Sequence, residues 1–157
     1  MHTRRLSGLT IRPLRDGGCT TVLAVFAGLG PRSRAQRFGG AKPRLSEAEL
    51  ALLARVDSTH HTLVVWVDDD PAPAGLAQLV RNGDSAEIAF AVADRHQRRG
   101  VGSALARELA ADARAAGITH LRATVRDSPG SLRLLTRCAR LVEERFAAGE
   151  RELVLAL

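Results

Sequence analysis

From Thr62 to Ala93 the chain carries three β-forming runs in quick succession, and the short connections between them leave one arrangement open. Thr62 to Val67, TLVVWV, is rich in β-branched residues and is broken by the acidic turn Asp68, Asp69, Asp70, Pro71. Ala74 to Arg81 forms a second run. Asn82 and Gly83, the strongest short turn signal in the chain, lead into Ser85 to Ala93, SAEIAFAVA. Turns this tight join antiparallel neighbours, so the three runs are expected to form a meander. The period then changes from strand to helix. Residues 101 to 116 are Ala-rich, with Leu105 and Leu109 on one face and Arg107, Asp112 and Arg114 on another, and Gly117 ends the pattern.

The flanks read in the same way. Leu9 to Leu14 is a short strand stopped by Pro13. Cys19 to Leu29 has helical apolar spacing through Val22, Leu23, Val25, Phe26 and Leu29, ended by Gly28, Gly30 and Pro31. Residues 31 to 40 read as a short solvated helix, with Arg32, Arg34 and Arg37 either facing water or shaping the mouth of a site. Ser46 and Glu49 make a capping box for a helix starting near residue 47. After Gly117, Ile118 to Arg126 reads as a strand, and Pro129 opens a helix carrying Leu132, Leu135 and Cys138. Two last strands, about Leu141 to Phe146 and Glu150 to Leu157, complete the pattern.

Composition narrows the class. A chain of 157 residues, 45% apolar and 25% charged, suits one globular domain over 1–157, able to bury roughly two-thirds of its unfolded surface without disulfides or a structural metal. No window approaches the about 18 apolar residues of a membrane span, and Met1 to Arg15 lacks the apolar stretch of a secretory signal; a cytoplasmic protein is expected. Cys19 and Cys138 are too far apart for a metal-ligand pair and too few for a disulfide framework. His60, His61 and His96 lack a ligand-spaced partner, so solvated or capping roles are expected and no metal. The basic balance is unusual, with 22 arginines, a single lysine at Lys42 and a formal charge of +6. Nucleic acid, an acidic membrane surface and a phosphorylated small molecule all remain open on charge alone. Aromatic residues are 3%, with no tyrosine, which counts against single-strand nucleic-acid readers that stack bases on rings.

The chemistry concentrates in Glu87 to Ser103, EIAFAVADRHQRRGVGS: a strand, a polar turn and a glycine-bearing entry into a helix. Gly100 and Gly102 allow close backbone approach, and the N–H groups at the helix start, backed by the helix dipole, suit an anion. Phosphate is the natural guest, with Arg95, Arg98 and Arg99 around it, although a lone G-x-G is by itself more often an ordinary turn with solvated arginines. The run is neither a dinucleotide fingerprint, since residue 105 is Leu, nor a P-loop, since Gly-Lys-Ser/Thr is missing. Strand alternation puts Glu87, Ala89, Ala91 and Ala93 on one face and Ile88, Phe90 and Val92 on the other. The alanine face leaves room beside Glu87 for a helix or a substrate, where desolvation would raise the carboxyl towards the range of a general base; on the residues alone an edge or surface glutamate in an ion pair is the expected role.

QRRGVG at 97–102, after an acidic residue on a strand and before an amphipathic helix, resembles the Q/R-x-x-G-x-G/A pyrophosphate loop of the GNAT acetyltransferases. The order of elements agrees over essentially the whole chain. Three further segments, GPRSRAQRF at 30–38, VDSTH at 56–60 and AEIAFAVAD at 86–94, resemble bacterial Pat-type protein lysine acetyltransferase domains. The resemblance implies an α/β GNAT fold, a mixed and mostly antiparallel sheet of about seven strands flanked by about four helices. It implies transfer of an acetyl group from acetyl-CoA, as co-substrate, to an amine, with a protein lysine first and a small-molecule amine second, in a monomer or homodimer that binds neither nucleic acid nor membrane. A silent acyl-CoA-binding module is the rival of another class. Carried onto this chain, the catalytic base falls on Glu87. The cofactor contacts fall on Val92, Ala93, Gln97, Arg98, Arg99, Gly100, Val101, Gly102, Ser103 and Ser128, with the N–H near Val92 polarising the thioester. Asp94 matches an acidic position heading the loop, with capping expected of it. The tyrosine that many relatives offer to the thiolate falls on Leu135, the frequent Asn on Ser128, and the usual Gly-Phe on Ala139 and Arg140.

Overall fold

The computed structural model describes residues 2–157. Eight strands form one sheet: β1 (Arg4–Leu6), β2 (Leu9–Pro13), β3 (His60–Val67), β4 (Gly75–Asn82), β5 (Ser85–Val92), β6 (His120–Val125), β7 (Arg140–Ala147) and β8 (Glu150–Ala156). They lie in the order β1-β2-β3-β4-β5-β6-β8-β7. Five helices accompany them: α1 (Cys19–Ala27), α2 (Pro31–Phe38), α3 (Glu47–Leu53), α4 (Val101–Ala115) and α5 (Pro129–Cys138). The mixed, mostly antiparallel sheet and flanking helices are those anticipated from the sequence. β1 is additional. It has only three residues, two of them arginines, so no alternation announces it. The meander turn also lies one residue later than Asn82-Gly83: Asn82 still pairs with Ser85, and Gly83, at φ +66°, opens the two-residue loop.

The sheet is covered on both faces. α4 and α5 pack on one face against Leu63, Leu79, Ile88, Leu121 and Leu155, with Leu105 and Leu109 fully buried between helix and sheet. α1 and α3 pack on the other, where Val25, Phe26 and Ala54 meet Val64, Leu76 and Ala91. β3, central in the order, is accordingly buried from Thr62 to Val65 and carries a continuous apolar run rather than a clean alternation.

Every neighbouring strand pair is antiparallel except β5 and β6. These two run parallel, and their pairing stops after Ser85–His120, Ala86–Leu121 and Glu87–Arg122. Beyond that point β5 stays with β4 as far as Val92, while β6 stays with β8 as far as Val125. The sheet therefore parts into two arms with a gap between them. α2 spans that gap. At its start, Asp94, just past β5, accepts from Gly30 N (3.0 Å) and Ser33 Oγ (2.6 Å). At its end, Arg126, just past β6, donates to the carbonyls of Gln36 and Arg37 (3.3 Å each), and Gln36 Nε2 donates to Asp127 O (2.9 Å).

The α2 arginines divide: Arg32 faces water, Arg37 lines the cleft, and Arg34 does neither. Arg34 turns inward over the Phe26 ring, 3.9 Å from its centroid, and its fork donates to the carbonyls of Phe26, Lys42 and Pro43. A guanidinium reaches three carbonyls at once where an ammonium cannot. Replacing Arg34 by Lys is therefore expected to lower unfolding stability by about 2 kcal/mol in urea titration, with little change in the slope of the transition.

Candidate active site

The gap between β5 and β6 opens into a continuous cleft of about 1590 Å³, whose walls come from both strands, α2, the start of α4 and α5. Ala93 N donates to Ala74 O (2.8 Å), so the alternation of the antiparallel pair turns the backbone of Glu87, Ala89 and Ala91 towards β4. The backbone of Phe90 and Val92 is turned the other way, into the gap. Val92 O is taken by Gln97 Nε2 (3.0 Å), and the N–H groups of Phe90 and Val92 face the cleft with no strand opposite.

At the far end of β5 the chain turns through Asp94–His96 into the start of α4. Gly100 stands at the N-cap with φ +81°, and Arg98 also lies in the left-handed region at φ +59°. Ala104 N is the first to find an intrahelical acceptor, Gly100 O at 3.0 Å, so the N–H groups of Val101, Gly102 and Ser103 are free for a ligand at the positive end of a 15-residue helix. Gly102 has a second duty. A Cβ there would meet Leu134 Cδ1 of α5 at 2.9 Å and Val92 Cγ2 at 3.7 Å, so its smallness also lets α4 approach α5.

The other expected cofactor residues divide by location. Gln97, Arg98, Gly100, Gly102, Ser103, Val92 and Ser128 line the cleft. Gln97 braces the loop through Ser33 Oγ (3.0 Å) as well as Val92 O, and Ser128 caps α5, its Oγ 2.7 Å from that of Ser131. Val101 offers only its backbone, because its side chain is buried. Ala93 is set apart: its side chain is fully buried and its N–H is committed to β4. Arg99 is exposed, directed towards His96 Nδ1 at 3.4 Å, and Leu135 is buried in the core between α4 and the sheet.

Three expectations are corrected. Arg95 is not free for an anion, since its Nε donates to Asp70 Oδ2 at 2.8 Å. His96 is not solvated; it is buried, with Nε2 2.6 Å from the same carboxylate, because the turn before β4 folds back over the loop. Glu87 is not enclosed. The alternation holds, but α1 covers only the far half of that face, burying Ala91 and Ala93 and leaving Glu87 exposed on the cleft wall with no ion-pair partner among the described residues. Asp94 does cap, though its target is α2 rather than its own loop. Cys138 lines a small apolar pocket behind α5, and burial pushes its thiol up, which disfavours the thiolate form. No metal-ligating cluster is found among the described residues, and none of their helices is long and apolar enough to cross a membrane.

Residues that sequence reasoning passed over also meet here. Gln78 of β4 reaches the cleft and accepts from Arg37 Nη2 at 2.5 Å, and Ser131 adds a hydroxyl beside Ser128. A strand glutamine carries no motif, and only register shows that it shares a wall with Glu87.

A split parallel pair with the free N–H groups of a helix start at its mouth forms an open cleft suited to a ligand that carries an anionic group. The sequence model described as the acetyltransferase (GNAT) family matches residues 31–139, and the chain belongs to that family and is an N-acetyltransferase by class. No curated protein sequence matches it. Among solved structures it is similar to the GNAT domain of Streptomyces lividans PAT, at 25% identity over 95% of this chain and 90% of that one, with a TM-score of 0.83. It shares the fold of a cAMP-binding acyltransferase from Mycobacterium smegmatis (22% identity, 98% of this chain, 46% of that one, TM-score 0.64). The same holds for spermidine N-acetyltransferase from Vibrio cholerae in complex with CoA and spermine (21% identity, 97% and 96%, TM-score 0.71).

The Asp70 anchor carries a pH signature. His96 and Arg95 hold the Asp70 carboxyl below its ordinary value. A depressed carboxyl stabilises the fold fully above its unfolded value of about 4 and loses that contribution as pH falls through the lower folded value. Asp70→Asn is expected to lower the melting temperature at pH 7 and to flatten the decline of stability below about pH 4, as read by thermal melts across pH.

Proposed function

We propose that this protein transfers an acetyl group from acetyl-CoA to a primary amine, with a protein lysine as acceptor and Glu87 as general base, directly or through a water. The observation that carries the reading is the placement of a free carboxylate and a free N–H cradle on one cleft, Glu87 where β5 and β6 part and Val101 to Ser103 at the mouth. The lysine preference draws on the likeness to the S. lividans domain and on charge. Unpaired arginines line this cleft, whereas a polycation such as spermine calls for an acidic one.

Acetyl-CoA supplies the thioester, whose carbonyl carbon takes the amine and whose thiolate departs. The residues of the chain prepare the rest. The N–H groups of Val101, Gly102 and Ser103 hold the diphosphate, with Arg98 beside them. The amine arrives mostly protonated at pH 7, and Glu87 removes the proton that blocks its lone pair. The Val92 N–H, turned into the gap, polarises the carbonyl as negative charge develops on its oxygen. The walls of the cleft hold donor and acceptor in line. No tyrosine exists in the chain, and Leu135 is buried, so the thiolate leaves without a phenol; the Ser128–Ser131 hydroxyl pair is the nearest polar group on α5.

That lack of a phenol supports a second reading, an acyl-CoA-binding module without turnover. CoA release measured over amines and lysine peptides separates the two. The acetyltransferase reading expects turnover by the wild type that falls at least about a hundredfold in Glu87→Gln. Stabilisation by acetyl-CoA with no turnover on any acceptor favours the binding module, and turnover unchanged in Glu87→Gln removes Glu87 as base. Gly102→Val is expected to weaken acetyl-CoA binding at least about tenfold in calorimetry and also to lower the melting temperature, because its side chain meets Leu134 of α5 and pushes the start of α4, with its N–H groups, out of place. Wild-type affinity in that variant would refute the cradle.

A further inference from the structure

Arg37 is the α2 arginine whose guanidinium stands on the cleft wall, 5.0 Å from the Phe38 ring centroid, without a counter-ion among the described residues. It is half-buried on the cleft wall, and its Nη2 donates to Gln78 Oε1 at 2.5 Å. Gln78 is itself fixed, because its Nε2 donates to Leu53 O at 2.9 Å and so leaves the amide oxygen for Arg37. No carboxylate pairs with Arg37 among the described residues. Its neighbour of like charge is Arg126, whose own charge is answered by Glu150. Burial, and then Arg126, push the guanidinium down to about 10, so it remains a cation at neutral pH but a poorly compensated one. Of five N–H donors Gln78 takes one, and the remainder of the fork is left for a ligand.

Location says which ligand. Gln78 is the cross-strand partner of Ala89, which lies two residues from Glu87 on the same face of β5. Gln78 and Glu87 therefore stand on one wall, roughly 7–10 Å apart by strand spacing. α4 and its N–H cradle lie against the opposite face. The arginine is thus on the side of the amine and away from the diphosphate. Its surroundings are predominantly basic: Arg32, Arg122 and Arg133 line the same cleft with no ion-pair partner among the described residues, alongside the carboxylates of Glu87, Asp127 and Glu152.

We propose that Arg37, held in place by Gln78, is a specificity residue that binds a carboxylate of the acceptor, supplied by an acidic side chain flanking the acceptor lysine. The assignment rests on the acyl-transfer reading above. A guanidinium that is half-desolvated and lacks a counter-ion gains most from a planar acid group, which it can take bidentately. The same group disfavours a lysine set among basic residues.

The test compares a lysine peptide flanked by glutamates with the same peptide carrying glutamines, using the full chain. Wild type is expected to prefer the acidic peptide by about ten- to a hundredfold in kcat/KM, mainly through KM. Arg37→Gln should abolish the preference while leaving the KM for acetyl-CoA unchanged. Gln78→Glu, which places a carboxylate against Arg37 with almost no change of shape, should abolish it too, and thermal melts should show that variant folded. Equal use of the two peptides by wild type, or a preference retained in Arg37→Gln, overturns the proposal, as does a free amino acid used better than either peptide. Calorimetric titration with the corresponding acetyl-lysine peptides reads the same contact without turnover. A glutamate preference in binding that depends on Arg37 upholds the proposal even where no CoA is released, whereas absence of both binding and turnover overturns it.

Discussion

Parallel pairing between β5 and β6 ends after Glu87 and Arg122, and most of what is distinctive in this molecule follows from that interruption. A continuous sheet would use its backbone groups on neighbouring strands. Here each arm keeps an antiparallel partner on its outer edge, β4 for one and β8 for the other, so the arms are stable while their inner edges stay open. Exposed strand edges are ordinarily a liability. In this fold they line a cleft, which gives substrate access to backbone donors in the middle of a sheet.

Keeping the arms apart requires a strut, and α2 acts as one. Asp94 holds its start to the end of β5; Arg126 and Gln36 hold its end to the end of β6. The arginines of this helix thereby acquire different tasks. Arg34 is buried against Phe26 and three carbonyls, Arg37 stands on the cleft wall, and Arg32 remains in solvent. The arginine-rich composition reflects this. A guanidinium can cap carbonyls, stack on rings and retain its charge when half-buried, whereas the solitary Lys42 makes one surface ion pair with Glu49.

The loop between β5 and α4 owes its form to a residue far from the motif that marks it. Asp70, in the turn between β3 and β4, holds Arg95 and His96 at once, and Asp94 and Gln97 link the same loop to α2. Hydrogen-bonding side chains of the QRRGVG region thus serve to shape the loop, while the anion would be met by main-chain N–H groups and Arg98. Side-chain identity in such a loop is a poor guide to ligand contact, because the side chains here hold the backbone and leave its N–H groups free.

Local pattern determined a good deal. The meander came from two turn signals, α3 from its capping box, α4 from amphipathic spacing ended by Gly117, and the anion cradle from glycines at a helix start; each depends on residues within a few positions of one another. What depended on distant partners was not legible. Alternation assigned Glu87 to the right face, yet whether that face is covered at Glu87 is decided by where α1 ends its contact. His96 looked solvated and Arg95 looked free for an anion because Asp70 lies 26 and 25 residues away from them in sequence. The pairing of Arg37 with Gln78, and their common wall with Glu87, exist only through the register of β4 on β5 and the bridging of α2. Sequence alone therefore specified most of the elements and the free N–H groups at a helix start. The tertiary structure decided which charges are neutralised within the protein and which are left for a substrate, since that depends on neighbours brought together by packing.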